Sequence, residues 1–320
     1  MTDAHASSES NHNDDLNQPG ENPRIENPRI ENPLAGVRLV FVGVGVMAES
    51  MIAGLLKRRL VTPARITGSH PRAARCAELE AKYGIRVVEN NQEAVAHTER
   101  ASGEGAETGA PSSGTIVILA VKPQKLNGVL HELKDALHPE DLVLSIVAGA
   151  RIETMAGVLS HHSIVRAMPN TPAQVGEGMT VWTATEQVDE TRQRQVSAML
   201  GALGREMRVE EERQIDMATA LSATGPTYIF LVMESLVDAG VHMGFSREVA
   251  RELVLQTMLG SVRFAMESHK HPAELRNMVT SPGGTSADAI YQMEKGGLRT
   301  VLSKAVYAAF QRAVALGQKK

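Results

Sequence analysis

Four groups of residues in this chain have types and spacing that could do chemistry. The first is Gly43-Val44-Gly45-Val46-Met47-Ala48, a G-x-G-x-x-A turn after the strand-like residue Val42. Gly43 permits a tight turn and Gly45 leaves the backbone open to a pyrophosphate. A helix starting at Val46 would add N–H donors and a partial positive charge. The second group, Gly68-Ser69-His70-Pro71-Arg72, ends the next strand. An NAD site usually carries an Asp or Glu there, whereas a hydroxyl and a guanidinium with no nearby acid suit a 2′-phosphate, so NADPH is expected ahead of NADH. For Arg72 the alternative is a solvated first-turn residue of the following helix. The third group is a set of strand ends: Ala120-Val121-Lys122-Pro123-Gln124, Ser145-Ile146-Val147-Ala148-Gly149 and Met168-Pro169-Asn170-Thr171-Pro172. Each could wall a nicotinamide, and each alone reads equally as a turn. The fourth is Val279-Thr280-Ser281-Pro282-Gly283-Gly284-Thr285-Ser286, where a Pro-Gly-Gly turn at a helix start offers backbone N–H groups to a carboxylate. An ordinary loop with a Ser N-cap is the alternative there. There is no G-x-S-x-G, no H-E-x-x-H and no paired Cys. The only His clusters, His161-His162 and His269-x-His271, sit in loop-like positions and are expected to face solvent, so no metal site is expected.

The elements that would position these groups follow a clear alternation. Val37–Val42 reads as a buried strand, followed by a helix over 46–59. Strand-like Ala64–Thr67, Thr115–Val121 and Leu142–Ile146 precede helices at 71–83, 124–137 and 151–160, which predicts βαβ units and a mostly parallel sheet. Residues 97–114, with four Gly and three Ser, read as an inserted surface loop. From Gln214 the pattern is helical throughout, over 214–243, 246–268, 286–295 and 298–316. Helices this apolar on several faces predict a region that buries surface against a second copy of the chain. The expected division is an acidic disordered tail over 1–33, an α/β Rossmann-like domain over 34–210 and an all-α dimerisation and substrate domain over 211–320.

Composition excludes several classes. The 320 residues carry 33 Lys and Arg against 37 Asp and Glu. Residues 1–33, which include a tandem ENPRI repeat, hold seven of the acids and two Arg, so the remainder is close to neutral. A near-neutral body with ten aromatics gives no nucleic-acid platform. No uninterrupted apolar run reaches the roughly 18 residues of a membrane span, so no membrane association is expected. Cys76 is the only cysteine, which excludes an internal disulfide and favours a reducing, cytoplasmic setting.

With these segments in view, the chain resembles the pyrroline-5-carboxylate reductases, from about Val37 to Gly317. The likeness is carried by Gly43–Ala48, by AVKPQ at Ala120–Gln124 and by MPNTPAQVGEGMT at Met168–Thr180. DAGVHMGFSREVA at Asp238–Ala250 and SPGG at Ser281–Gly284 complete it. The resemblance implies a Rossmann domain binding NADPH (NADH possible), and a helical domain that interlocks with a second subunit in a homodimer able to assemble further. It implies a substrate site at that interface. Ser69, Pro71, Arg72 and Asn91 would surround the adenosine ribose, while Ala120, Val121, Lys122, Pro123, Ile146, Val147 and Ala148 would line the way to the nicotinamide. Ser281, Gly283, Gly284 and Thr285 would hold the substrate carboxylate, Ser286 would meet the ring nitrogen as the catalytic hydroxyl, and Glu212 would lie near the substrate. Three departures stand out: Ser286 where the family usually has Thr, Ala223 where it has Gly, and a 97–114 loop longer than the family's norm. The implied activity is reduction of a cyclic imine to proline. The alternative carried with it is a non-catalytic, nucleotide-binding regulatory relative with the same dimeric fold.

Overall fold

The computed structural model describes residues 32–96 and 114–318; nearly all of the acidic tail and of the 97–114 segment lies outside the described residues. The strands are β1 (Arg38–Val42), β2 (Ile66–Ser69), β3 (Arg86–Val88), β4 (Thr115–Leu119), β5 (Leu142–Ser145), β6 (Ile164–Met168), β7 (Gly178–Ala184) and β8 (Gly204–Arg208). They form one sheet in the order β3-β2-β1-β4-β5-β6-β7-β8. Only the β6–β7 pair is antiparallel. Both faces of the parallel part are covered by helices, so β4 (Thr-Ile-Val-Ile-Leu) is buried at every position, as its unbroken apolar run requires.

Helices α1 (Val46–Lys57), α2 (Ala73–Tyr83), α3 (Asn91–Val95), α4 (Pro123–Leu133), α5 (Ile152–Leu159) and α6 (Glu190–Gly201) accompany the sheet. Helices α7 (Arg213–Ala218), α8 (Gly225–His242), α9 (Arg247–Ser268), α10 (Pro272–Met278), α11 (Thr285–Lys295) and α12 (Leu298–Gln318) follow it. The strand expected at 64–67 starts later, because Pro63–Arg65 form a 3₁₀ turn ahead of it. The helix expected over 214–243 is interrupted: residues 219–223 form a π-helical turn between α7 and α8. Pro226 explains the break, since it has no N–H to bond the carbonyl of Ser222. Elements β3, α3, β7, α6, β8 and α10 were not foreseen. Nor was His161 expected to be buried, yet its Nε2 lies 2.6 Å from the Asp141 carbonyl oxygen; His162, His269 and His271 are exposed as expected. Despite the absence of an uninterrupted apolar run, the stretch Arg213–His242, with its π-helical turn included, is long and apolar enough to cross a membrane by length and composition.

The core lies almost wholly in the sheet and its covering helices. Beyond Asp216 only Ala220, Gly240, Ala250 and Ala313 are buried among the described residues, none larger than a methyl side chain. Large apolar groups of the same region, such as Phe230, Leu253 and Val262, are open. Surfaces of that kind mark an interaction face.

Candidate active site

Three loops meet at the carboxyl edge of the sheet, beside the point where the strand order reverses from β1 to β4. The Ala120 N–H donates to the Val42 carbonyl at 3.0 Å, the Ile146 N–H donates to Leu119 at 3.0 Å, and the Val44 N–H donates to Ser69 at 2.9 Å. These bonds join the ends of β2, β1, β4 and β5 in series. Gly43 has φ +88°, and a Cβ there would stand 2.7 Å from the Val121 side chain and 3.3 Å from the Ala120 carbonyl. The first turn and the AVKPQ loop are therefore in contact, as a shared cleft demands. Gly45 differs. A Cβ on it would meet nothing within 4 Å, and Gly45 and Val46 are exposed at the start of α1 while Val42 and Val44 are buried. That open space beside an uncapped helix N-terminus fits a dinucleotide pyrophosphate. Ile146 and Ala148 are partly exposed beside the cleft, Lys122 and Pro123 are exposed, and Val147 is buried.

At the far end of the cleft, Ser69 is fully buried. Its hydroxyl accepts from the Gly43 N–H at 3.1 Å and donates to Asn91 Oδ1 at 2.7 Å, and Asn91 Nδ2 donates to Glu132 at 2.9 Å. Ser69 and Asn91 thus brace the turn from below, leaving Pro71 and Arg72 as the exposed members of the set. His70 stands beside them; burial, then the positive charges of Arg72 and Arg75, hold its imidazole below the ordinary range. Arg75 is already engaged by Glu49 and Glu78, so Arg72 is the guanidinium left for an incoming phosphate. His70 carries the one signal for this subsite not taken up from the sequence.

The dimerisation region of pyrroline-5-carboxylate reductases matches residues 212–316, and a family described as NADP oxidoreductase, coenzyme F420-dependent, matches residues 38–101. The pyrroline-5-carboxylate reductase of Pseudomonas aeruginosa is 38% identical over 283 residues, covering 88% of this chain and 97% of its own. The chain belongs to the pyrroline-5-carboxylate reductase family. The pea (Pisum sativum) member is 35% identical, covering 86% of this chain and 94% of its own. Among solved structures, the reductase of Coxiella burnetii superposes with a TM-score of 0.75 at 35% identity, covering 88% and 99% of the two chains. That of Plasmodium falciparum, solved with NADP bound, gives 0.76 at 30% identity, covering 88% and 98%.

The family's SPGG segment lies at the head of α11. The Gly284 N–H bonds the Ser281 carbonyl at 3.1 Å, closing a turn in which Gly283 has φ +69°. A Cβ on Gly284 would stand 2.5 Å from the Ser281 hydroxyl and 3.2 Å from its carbonyl oxygen, so any larger residue there would first have to move the Ser281 side chain. The N–H groups of Thr285 and Ser286 fall in the first turn of α11, where no helix carbonyl can receive them, and Thr285 is exposed. Within one chain this turn packs away from the glycine-rich sheet edge: α11 packs on α12, and α8 on α9. Glu212 is engaged at the start of α5 and in β6. Its Oε1 accepts from the Ile152 N–H at 2.9 Å and from Arg166 Nη1 at 2.8 Å.

Proposed function

We propose that this chain reduces the C=N bond of 1-pyrroline-5-carboxylate to give proline, using NADPH, as a homodimer with a cofactor domain over 34–210 and a helical domain over 211–320. The observation that carries the reading is the pairing of an open glycine cradle at Gly45 with a second, separate receptor at Thr285–Ser286, in a chain of this family. Bound NADPH supplies the hydride that adds to the imine carbon. The chain's own part is positioning. Arg72 selects the phosphorylated ribose, and Val42–Met47 hold the pyrophosphate. The Ala120–Pro123 and Ile146–Ala148 loops wall the reacting face. The N–H groups at the SPGG turn and Thr285 hold the substrate carboxylate, and the Ser286 hydroxyl holds the ring nitrogen that gains a proton. A regulatory relative without catalysis finds no support in the comparisons. The buried thiol of Cys76 suits a reducing compartment, and with it a cytoplasmic location.

The purified chain should oxidise NADPH when given pyrroline-5-carboxylate, faster than it oxidises NADH at equal concentration. A folded dimer that binds NADPH yet turns over with neither cofactor would end this reading. In the same assay Ser286→Ala should lower kcat by about 10²-fold, the scale of one positioned proton donor, with NADPH affinity little changed. Equal losses in both would make the hydroxyl's role structural.

A further inference from the structure

Arg166 is the largest fully buried side chain among the described residues and a charged one, placed mid-strand in β6. Its two terminal nitrogens are divided between the residue that precedes α7 and one within it: Nη1 donates to Glu212 at 2.8 Å and Nη2 to Asp216 at 2.5 Å. Arg166 pairs in register with Ser145, the last residue of β5. From there the chain runs through Ile146–Ala148 to α5, whose first N–H, that of Ile152, bonds Glu212. No side chain of the local sequence caps α5, so its N-terminus depends on a carboxylate 60 residues further along the chain. The loop is tied at its other end as well. The Val147 N–H bonds the Ser145 hydroxyl at 3.2 Å, and Gly149, at φ +76°, lies where a Cβ would meet Leu316 of α12 at 2.8 Å. A cavity of about 260 Å³ lined by Arg151, Arg166, Glu212, Arg213 and Asp216 lies at the same joint. Arg166 Nε has no protein partner among the described residues.

We infer that Glu212, oriented by Arg166, is a positioning residue for the nicotinamide wall Ile146–Ala148 rather than a ligand of the substrate. This rests on the proposed function, which makes that loop the wall. Glu212 acts as a remote N-cap: its carboxylate reaches from the head of α7 to fix where α5 begins, and so where the loop before it lies. Arg166 holds the carboxylate's angle with one arm while its other arm neutralises Asp216, and a planar fork can do both where a Lys point charge cannot. The setting of the wall then depends on the docking of α7 and α12 on the sheet.

Reach and charge can be separated at this position. Glu212→Gln keeps an oxygen at the right length for the Ile152 N–H, and Glu212→Asp keeps the charge but withdraws it. In the full-length dimer, Glu212→Gln should hold NADPH within about threefold of wild type, and Glu212→Asp should weaken it about tenfold, the scale of one lost N-cap. The KM for pyrroline-5-carboxylate at saturating NADPH should move less than about twofold in either. Hydrogen exchange of residues 146–153 in the cofactor-free protein should quicken for Glu212→Asp and stay as in wild type for Glu212→Gln. A reversed order, equal losses, unchanged NADPH affinity in both, or a loss confined to the substrate KM overturns the inference. Quickened exchange with unaltered affinity also overturns it, by leaving the bracket but removing the wall. A wild-type chain that failed to bind NADPH would instead strike the proposed function.

Discussion

His70 reports on what approaches Arg72. Its imidazole is held low by burial and by the guanidiniums of Arg72 and Arg75. The sign of the consequence follows from linkage. The unfolded chain takes up this proton more readily than the folded one, so the group costs stability as pH falls through its unfolded value of about 6.5 and costs nothing well above it. A 2′-phosphate seated on Arg72 would offset the positive field and raise the midpoint. NADP⁺ should therefore shift the His70 ring resonances to a higher titration midpoint, and NAD⁺ should shift them less. Equal midpoints with the two nucleotides would place the phosphate elsewhere. The effect should shrink in Arg72→Gln. Ser69, by contrast, has its hydroxyl committed to Gly43 and Asn91, so its contribution to the nucleotide passes through the shape of the turn.

The element proposed to receive the pyrophosphate is the start of α1, and the two glycines before it answer to different forces. Gly43 is required by its positive φ and by its contact with Val121, both features of the folded chain alone. Gly45 has φ −87°, open to any residue, and an empty neighbourhood. Gly45→Ala should leave the melting temperature within about 2 °C while weakening NADPH about tenfold, since only the ligand needs that space. Parallel calorimetric and fluorescence titrations check it, and a large loss of stability would assign Gly45 to the fold. Elements with strong patterns were legible in the sequence for the same kind of reason. Buried runs such as β4 and β1 admit one reading, and the Gly-rich turn between β1 and α1 fixes both neighbours. What escaped had weak local signals. Strand β8, Gly-Arg-Glu-Met-Arg, is a charged edge strand whose register is set by β7. Helix α10 is seven residues long and starts at a proline. The role of Glu212 could not be read locally, because its partners Ile152 and Arg166 lie 60 and 46 residues away.

At the scale of the molecule, one chain holds a finished half and an unfinished half. The sheet has its own core, so the Gly43–Met47 cradle and its neighbours need nothing from outside. Helices α8 to α11 bury only Gly240 and Ala250 and leave Phe230, Leu231, Leu253, Val262 and Met266 open, along the stretch that matches the family's dimerisation region. The SPGG turn proposed to hold the substrate carboxylate belongs to this second half, so cofactor binding and catalysis should separate when the dimer is broken. Phe230→Asp places a charge in the middle of the apolar face of α8, where burial against a partner would strip its water. Sedimentation should show monomers, with NADPH still bound within about threefold of the dimer's affinity and reduction of pyrroline-5-carboxylate reduced by 10²-fold or more, on the order expected when a positioned substrate is lost. A monomer that keeps full turnover would mean that one chain closes its own SPGG turn over its own cleft. A monomer that loses NADPH as well would mean that the partner also shapes the cradle. The sheet's closed core argues against the second outcome, and the packing of α11 on α12 rather than on the sheet argues against the first.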